Sequence, residues 1–195
     1  MQHIILASQS PRRKMLLEWA EIPFEVIVQV TDESYPEGLS LTDTAIHIAR
    51  NKALSVQAHV KEAYHHEYVG KTILAADTIV VLDDKVIGKP VNREDAIAIL
   101  RSLSGQKHQV ITGVVLLHQA GEIAFADCTE VCFHALTEEQ IRFYVDKYEP
   151  YDKAGAYAIQ EWIGVVGIES INGDFYNVMG LPVSRVVKAL DTINP

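Results

Sequence analysis

"TILAADTIVVL", residues 72–82, is the stretch that settles the architecture. In an extended chain Ile73, Ala75, Asp77, Ile79 and Val81 share one face, and Leu74, Ala76, Thr78 and Val80 share the other. Both faces are apolar, as in a strand covered on both sides by helices. Asp83-Asp84 then turns the chain into the short strand "KVIG". Asp77 interrupts this strand. A carboxylate there costs several kcal/mol, order of magnitude, unless it is paired or holds a metal. Two readings stand: an Asp bonded to backbone at a bulge or strand end, or a catalytic or metal-ligating carboxylate.

Outward from that strand, helices and strands mix. "HIILAS" reads as a buried strand, and "SPRRKMLLEWA" as a helix with Ser10 as cap and Pro11 first. "FEVIVQV" reads as a strand and "TDESYPEGLS" as a polar loop. A second helix runs from near Ser40 to about His59, and "KEAYHHEYVGK" is a polar connector in which His65 and His66 are solvated. Downstream, Asn92 caps a helix that Gly105 ends. "HQVITGVVLL" and "AFADCTEVCF" pair as strands, and Thr137 and Gln140 stand at capping-box spacing. Asn172-Gly173 is the strongest short hairpin signal, and Pro182 opens a last helix with Val183, Val186, Val187 and Leu190 as its stripe. The expected fold is α/β: a mixed central sheet with helices packed around it, in two lobes with a cleft.

Composition sets outer limits. With 195 residues, 48% hydrophobic and 22% charged, the chain can bury a full core. A net charge of −9 argues against broad binding to nucleic acid or to anionic membranes. No run is long enough to span a bilayer, and "MQHIILASQSPRR" lacks the basic start and apolar stretch of a leader peptide. Cys128 and Cys132 share a strand face too far apart to bridge, so they read as reduced thiols packed as small hydrophobes, which favours the cytoplasm.

Several cations stand at element ends. Ser8, Ser10, Arg12 and Arg13 lie on a strand-to-helix turn, where free N–H groups, hydroxyls and guanidinium forks suit a phosphate. A plain capped helix with surface arginines is the competing reading, although two cations at a helix N-terminus oppose the dipole. Lys52 falls mid-stripe among Ala45, Ile48, Ala49 and Val56, so it snorkels, pairs, or lines a cleft. Lys89 follows Gly88 at the end of "KVIG", either as a ligand group or as a solvated hairpin end. Gln160, in "DKAGAYAIQE", can offer a base edge a donor and an acceptor together. Four cations (Arg12, Arg13, Lys52, Lys89) and one buried carboxylate suit a polyphosphate with a divalent metal, each close opposite-charge pair being worth about 4 kcal/mol at an effective dielectric of ~20. No GxxxxGK[ST] motif is present.

The motifs "LASQSPRR", "AADTIVVL", "KP", "LSGQKHQVITGV", "DKAGAYAIQ" and "INGDFYNVMGLP" resemble the Maf family of nucleoside triphosphate pyrophosphatases, in the family's order, from about residue 3 to about residue 190. The resemblance implies one Maf-like domain over residues 1–195, made of two lobes around an elongated sheet and related to inosine triphosphate pyrophosphatases. It implies hydrolysis of a nucleoside triphosphate to the monophosphate and pyrophosphate with a divalent metal, Mg2+ or Mn2+. By motif, Asp77 is the proton acceptor, Ser8, Arg12, Arg13, Lys52 and Lys89 bind phosphate, and Glu33 joins Asp77 on the metal. Arg12, Thr78 and Gln160 occupy positions linked to base choice and resemble the branch acting on dTTP and UTP rather than 7-methyl-GTP. Glycine usually follows that glutamine, whereas this chain has Glu161-Trp162. A homodimer is implied by the resemblance only. The expected partner is a nucleotide, with neither nucleic acid nor membrane. The alternative is a nucleotide-binding regulator of division or septum formation without turnover.

Overall fold

A computed structural model describes residues 3–63 and 68–193. Among them seven strands form one sheet: β1 (Ile4–Leu6), β2 (Phe24–Val26), β3 (Ile73–Leu82), β4 (Lys85–Ile87), β5 (Lys107–His118), β6 (Gly121–Phe133) and β7 (Ile168–Asn172). The order is β2-β1-β3-β5-β6-β7, with β4 on β3. The sheet is mixed: β1 runs parallel to β2 and β3, while the β3–β4 and β6–β7 pairs are antiparallel. The helices are α1 (Pro11–Trp19), α2 (Leu41–Ala63), α3 (Arg93–Leu103), α4 (Glu138–Tyr148), α5 (Trp162–Gly167), α6 (Phe175–Met179) and α7 (Val183–Ile193). No described helix is long and apolar enough to cross a membrane.

The chain divides into two compact units. The first comprises the described residues up to Asp77, Thr112–Asp127 and the segment from Gly180 onward; the second comprises Thr78–Ile111 and Cys128–Met179. In the first, Ile5, Ala7, Ile73, Ala75, Val115 and Leu117 pack with Ala49, Ala53, Val56 and Val60 of α2. Strand alternation puts Asp77 in the row of Ile73 and Ala75, the row that meets α2. Gly113 lies two residues before Val115 in the corresponding row of β5. A Cβ there would stand 2.3 Å from the Ala45 carbonyl carbon, so only glycine lets α2 sit this close.

In the second unit Asp83 and Asp84 both take positive φ (49° and 61°), the two-residue hairpin turn that joins β3 to β4 with Leu82 opposite Lys85. Ala96, Ile97, Leu100 and Leu103 of α3 and Ile141, Tyr144 and Val145 of α4 are buried. The rings of His108, Phe133 and Tyr157 meet edge to face, with centroids 5.0–5.5 Å apart. His108 Nε2 shares a 2.8 Å hydrogen bond with Tyr157 Oη, and its Nδ1 is buried with no hydrogen-bond partner. Burial therefore drives the imidazole pKa down to about 4 and pushes the phenol up.

A prediction follows from the imidazole. Its folded pKa lies below the unfolded 6.5, so the unfolded chain binds the extra proton between pH 6.5 and 4. Stability is full above that window and falls as pH drops through it, by at most about 3 kcal/mol. Urea midpoints of the parent and His108→Gln, taken at pH 7.5 and 4.5, should show a smaller acid loss in the variant. An equal loss in both would exclude His108 as the cause.

The structure corrects four expectations. The strand at "FEVIVQV" stops at Val26, because its partner β1 stops at Leu6; the Ile27 N–H still reaches the Leu6 carbonyl at 3.2 Å. Helix α2 continues past His59 to Ala63, taking in part of the expected connector, and Tyr64–Glu67, with His65 and His66, lie outside the described residues. Asn172-Gly173 makes no hairpin. Thr129 Oγ1 donates to the Asp174 carbonyl at 2.9 Å, and Asp174 accepts the Tyr176 N–H at 2.8 Å, so the chain leaves β7 into α6. Cys128 and Cys132 form no disulfide, but they are not core hydrophobes: Cys128 is exposed, and Cys132 Sγ donates to the Glu169 carboxylate at 3.3 Å.

Candidate active site

The turn after β1 is built around Arg13. Ser10 caps α1 by accepting the Arg13 N–H at 3.5 Å, and its own N–H donates to Ser8 Oγ at 3.3 Å. Two arginines in the first turn oppose the helix dipole, so their positive charge needs another source of stabilisation. Arg13 has it. Its Nε donates to the Gly180 carbonyl at 2.8 Å and one terminal nitrogen donates to Ser8 Oγ at 3.1 Å. Burial pulls the guanidinium below its ordinary pKa, the Asp77 charge pushes it up, and Arg12 and Glu33 exert smaller opposing effects. Arg12 itself is half-buried one position earlier.

The second cluster links β3 to α2. Lys52 Nζ lies 2.6 Å from Asp77 Oδ1 and 2.7 Å from Glu33 Oε1. The side chains of Asp77 and Lys52 are 14% and 18% exposed, and Glu33 is half exposed on the loop before α2. Helical spacing explains the meeting. Lys52 interrupts the buried row Ala45, Ile48, Ala49, Val56, and Asp77 interrupts the strand row facing it. Each is the polar residue that makes the other tolerable. Ser8, Arg13, Glu33, Lys52 and Asp77 thus all fall in the first unit, with Arg13 within electrostatic reach of Asp77 and Glu33.

Three predicted positions belong to the second unit. Thr78 follows Asp77 on β3, half-buried on the opposite face. Lys89 is exposed beyond β4, where the Gly88 carbonyl accepts the Gly155 N–H at 3.1 Å. Gln160 is exposed on a turn between Ala158 and Glu161. Nothing in the sequence marks Gly180, whose carbonyl seats Arg13 from 167 positions away, or Tyr144, whose hydroxyl supports the Gln160 turn. Glu161 carried a signal, the departure from the family's glycine.

Residues 3–193 match the model of Maf-like proteins, and the chain belongs to that family. A protein of Parabacteroides distasonis named dTTP/UTP pyrophosphatase is 49% identical over 189 residues, covering 96% of this chain and 94% of its own. Proteins of the same name from Bacteroides thetaiotaomicron and Cytophaga hutchinsonii are 47% and 46% identical, covering 94% and 98% of this chain and 92% and 85% of theirs. Among solved structures, the Staphylococcus aureus Ham1 protein aligns with a TM-score of 0.42 at 14% identity, covering 68% of this chain and 72% of that one.

Proposed function

We propose that this Maf-like protein hydrolyses dTTP and UTP to the nucleoside monophosphate and pyrophosphate, with Asp77 as the proton acceptor. The observation that carries the reading is the meeting of Asp77 and Glu33 on the Lys52 ammonium, with the buried Arg13 within electrostatic reach. The names of relatives at 46–49% identity supply the substrates.

A water oxygen forms a bond to the α-phosphorus, the bond from that phosphorus to the α,β-bridging oxygen breaks, and pyrophosphate departs. Asp77 takes the proton the water loses. Ser8, Arg12, Arg13 and Lys52 bind phosphate oxygens, with Arg13 held in place by Gly180 and Ser8. Ser10 sets the turn as its cap. Lys89 is assigned a phosphate-binding role on its motif.

Asp77 and Glu33 would hold the divalent metal, Mg2+ or Mn2+. They fit it, because each already places a carboxylate oxygen on one positive centre, the Lys52 nitrogen. Among the described residues no group of three or more His, Cys, Asp or Glu gathers for a metal. Two carboxylates are what Mg2+ ordinarily takes from a protein when phosphate and water supply the rest. When bound, the metal neutralises phosphate charge and lowers the pKa of water.

Arg12, Thr78 and Gln160 select the base, the Gln160 amide pairing with a pyrimidine carbonyl and imide N–H together. The family match over residues 3–193 includes residues of both units, which supports reading the chain as one Maf-like domain. Cys128 and Cys132, reduced and not bridged, support a reducing compartment, the cytoplasm.

The test is product identity. Incubation with dTTP or UTP and Mg2+ should release pyrophosphate and monophosphate in equal amounts. Orthophosphate with a nucleoside diphosphate would place the attack on the wrong phosphorus and sink the reading.

A further inference from the structure

The Ala158 carbonyl accepts the Glu161 N–H at 3.1 Å, closing a tight turn with buried Ile159 and exposed Gln160 at its centre. Both ends of this turn meet one oxygen. The Ala158 N–H donates to Tyr144 Oη at 3.1 Å, and Tyr144 Oη donates to the Glu161 carboxylate. Tyr144 is fully buried on α4 and stacked on Tyr148, so that oxygen is a fixed point. Lys153, also buried, brings its ammonium 3.6 Å from the other Glu161 oxygen and 2.7 Å from Asp152. On the far side, the Glu161 carbonyl accepts the N–H groups of Gly164 and Val165 at 3.0 and 3.4 Å. A Cβ on Gly164 would lie 1.7 Å from the Ile159 carbonyl oxygen, so α5 presses directly on the turn.

We infer that Glu161, clamped by Tyr144, is a positioning residue for base selection. It fixes the backbone from which Gln160 reaches the base, and it rests on the reading of Gln160 as a base contact. A glutamine amide can turn over and exchange its oxygen for its NH2. On a loose turn it can pair with the carbonyl and imide of uracil or with the amino group and ring nitrogen of cytosine. Discrimination therefore depends on how the turn directs the side chain and limits the rotation of its amide. A glycine at this position could make neither the tyrosine nor the lysine contact, so the clamp depends on the Glu161 side chain.

The experiment compares kcat and KM for UTP and CTP in the parent, Glu161→Ala, Glu161→Gln, Tyr144→Phe and Gln160→Ala. Glu161→Ala should lower the UTP-over-CTP ratio of kcat/KM about tenfold, through a raised KM for UTP with kcat nearly unchanged. Glu161→Gln keeps an acceptor for the phenol and should retain the ratio within about twofold. Tyr144→Phe removes a single oxygen and should lower the ratio as Glu161→Ala does, which keeps the test open should the alanine variant fail to fold. A merely structural role would depress both substrates alike together with the melting temperature and leave the ratio in place, and that result overturns the inference. If Gln160→Ala collapses the ratio while Glu161→Ala and Tyr144→Phe do not, the clamp alone is wrong. If Gln160→Ala also leaves the ratio in place, the reading of Gln160 falls and the clamp with it.

Discussion

Asp77→Asn is expected to lower kcat for dTTP by about 10²- to 10⁴-fold, the range for loss of a positioned general base. The substitution keeps size and shape and removes one charge. Lys52 retains Glu33 at 2.7 Å, so the fold should survive, which circular dichroism checks. Nucleotide affinity gives a second, opposite-signed readout. Without metal a carboxylate beside a triphosphate is repulsive, so in EDTA the variant should bind dTTP more tightly than the parent. With Mg2+ that advantage should disappear, because one of two candidate ligands has gone. Calorimetric titration under both conditions measures this. A kcat within a few-fold of the parent would remove Asp77 from the proton step.

Gly113→Ala should be the most damaging single-methyl change in the first unit. The added carbon meets backbone at three points, 2.3, 2.4 and 2.5 Å from Ala45 and Ile46 atoms near the start of α2. Backbone cannot rotate away as a side chain can. The strand or the helix must move, and helix α2 carries Lys52. Overpacking of this kind costs about 3 kcal/mol, which lowers the melting temperature of a chain this size by roughly 6–12 °C. Loss of activity should accompany it, through displacement of Lys52 from Asp77. A melting temperature within about 2 °C of the parent would mean that α2 yields at small cost.

How far the sequence could be read depended on the range of each interaction. Periodicity exposed Asp77 and Lys52 separately, because each breaks an apolar row of its own element. That they face each other follows from the two rows packing together. The caps at Ser10, Asn92 and Thr137 were legible because each is settled within four residues. Glu33 was different. It sits in a polar loop without periodicity, and only the family motif singled it out. The Gly180 carbonyl that seats Arg13 has no side chain to announce it. Asn172-Gly173 misled because Asp174 competes locally, capping a helix where a returning strand was expected. The cysteines misled because strand alternation fixes which face a residue takes, not whether anything covers that face.

The bond from Arg13 to Gly180 has a consequence for synthesis. Translation makes the arginine 167 positions ahead of its carbonyl partner. Until the segment from Gly180 onward has been made, the guanidinium lacks this acceptor and the first unit lacks one of its three pieces. The first unit therefore completes its fold only after every residue of the second has been made.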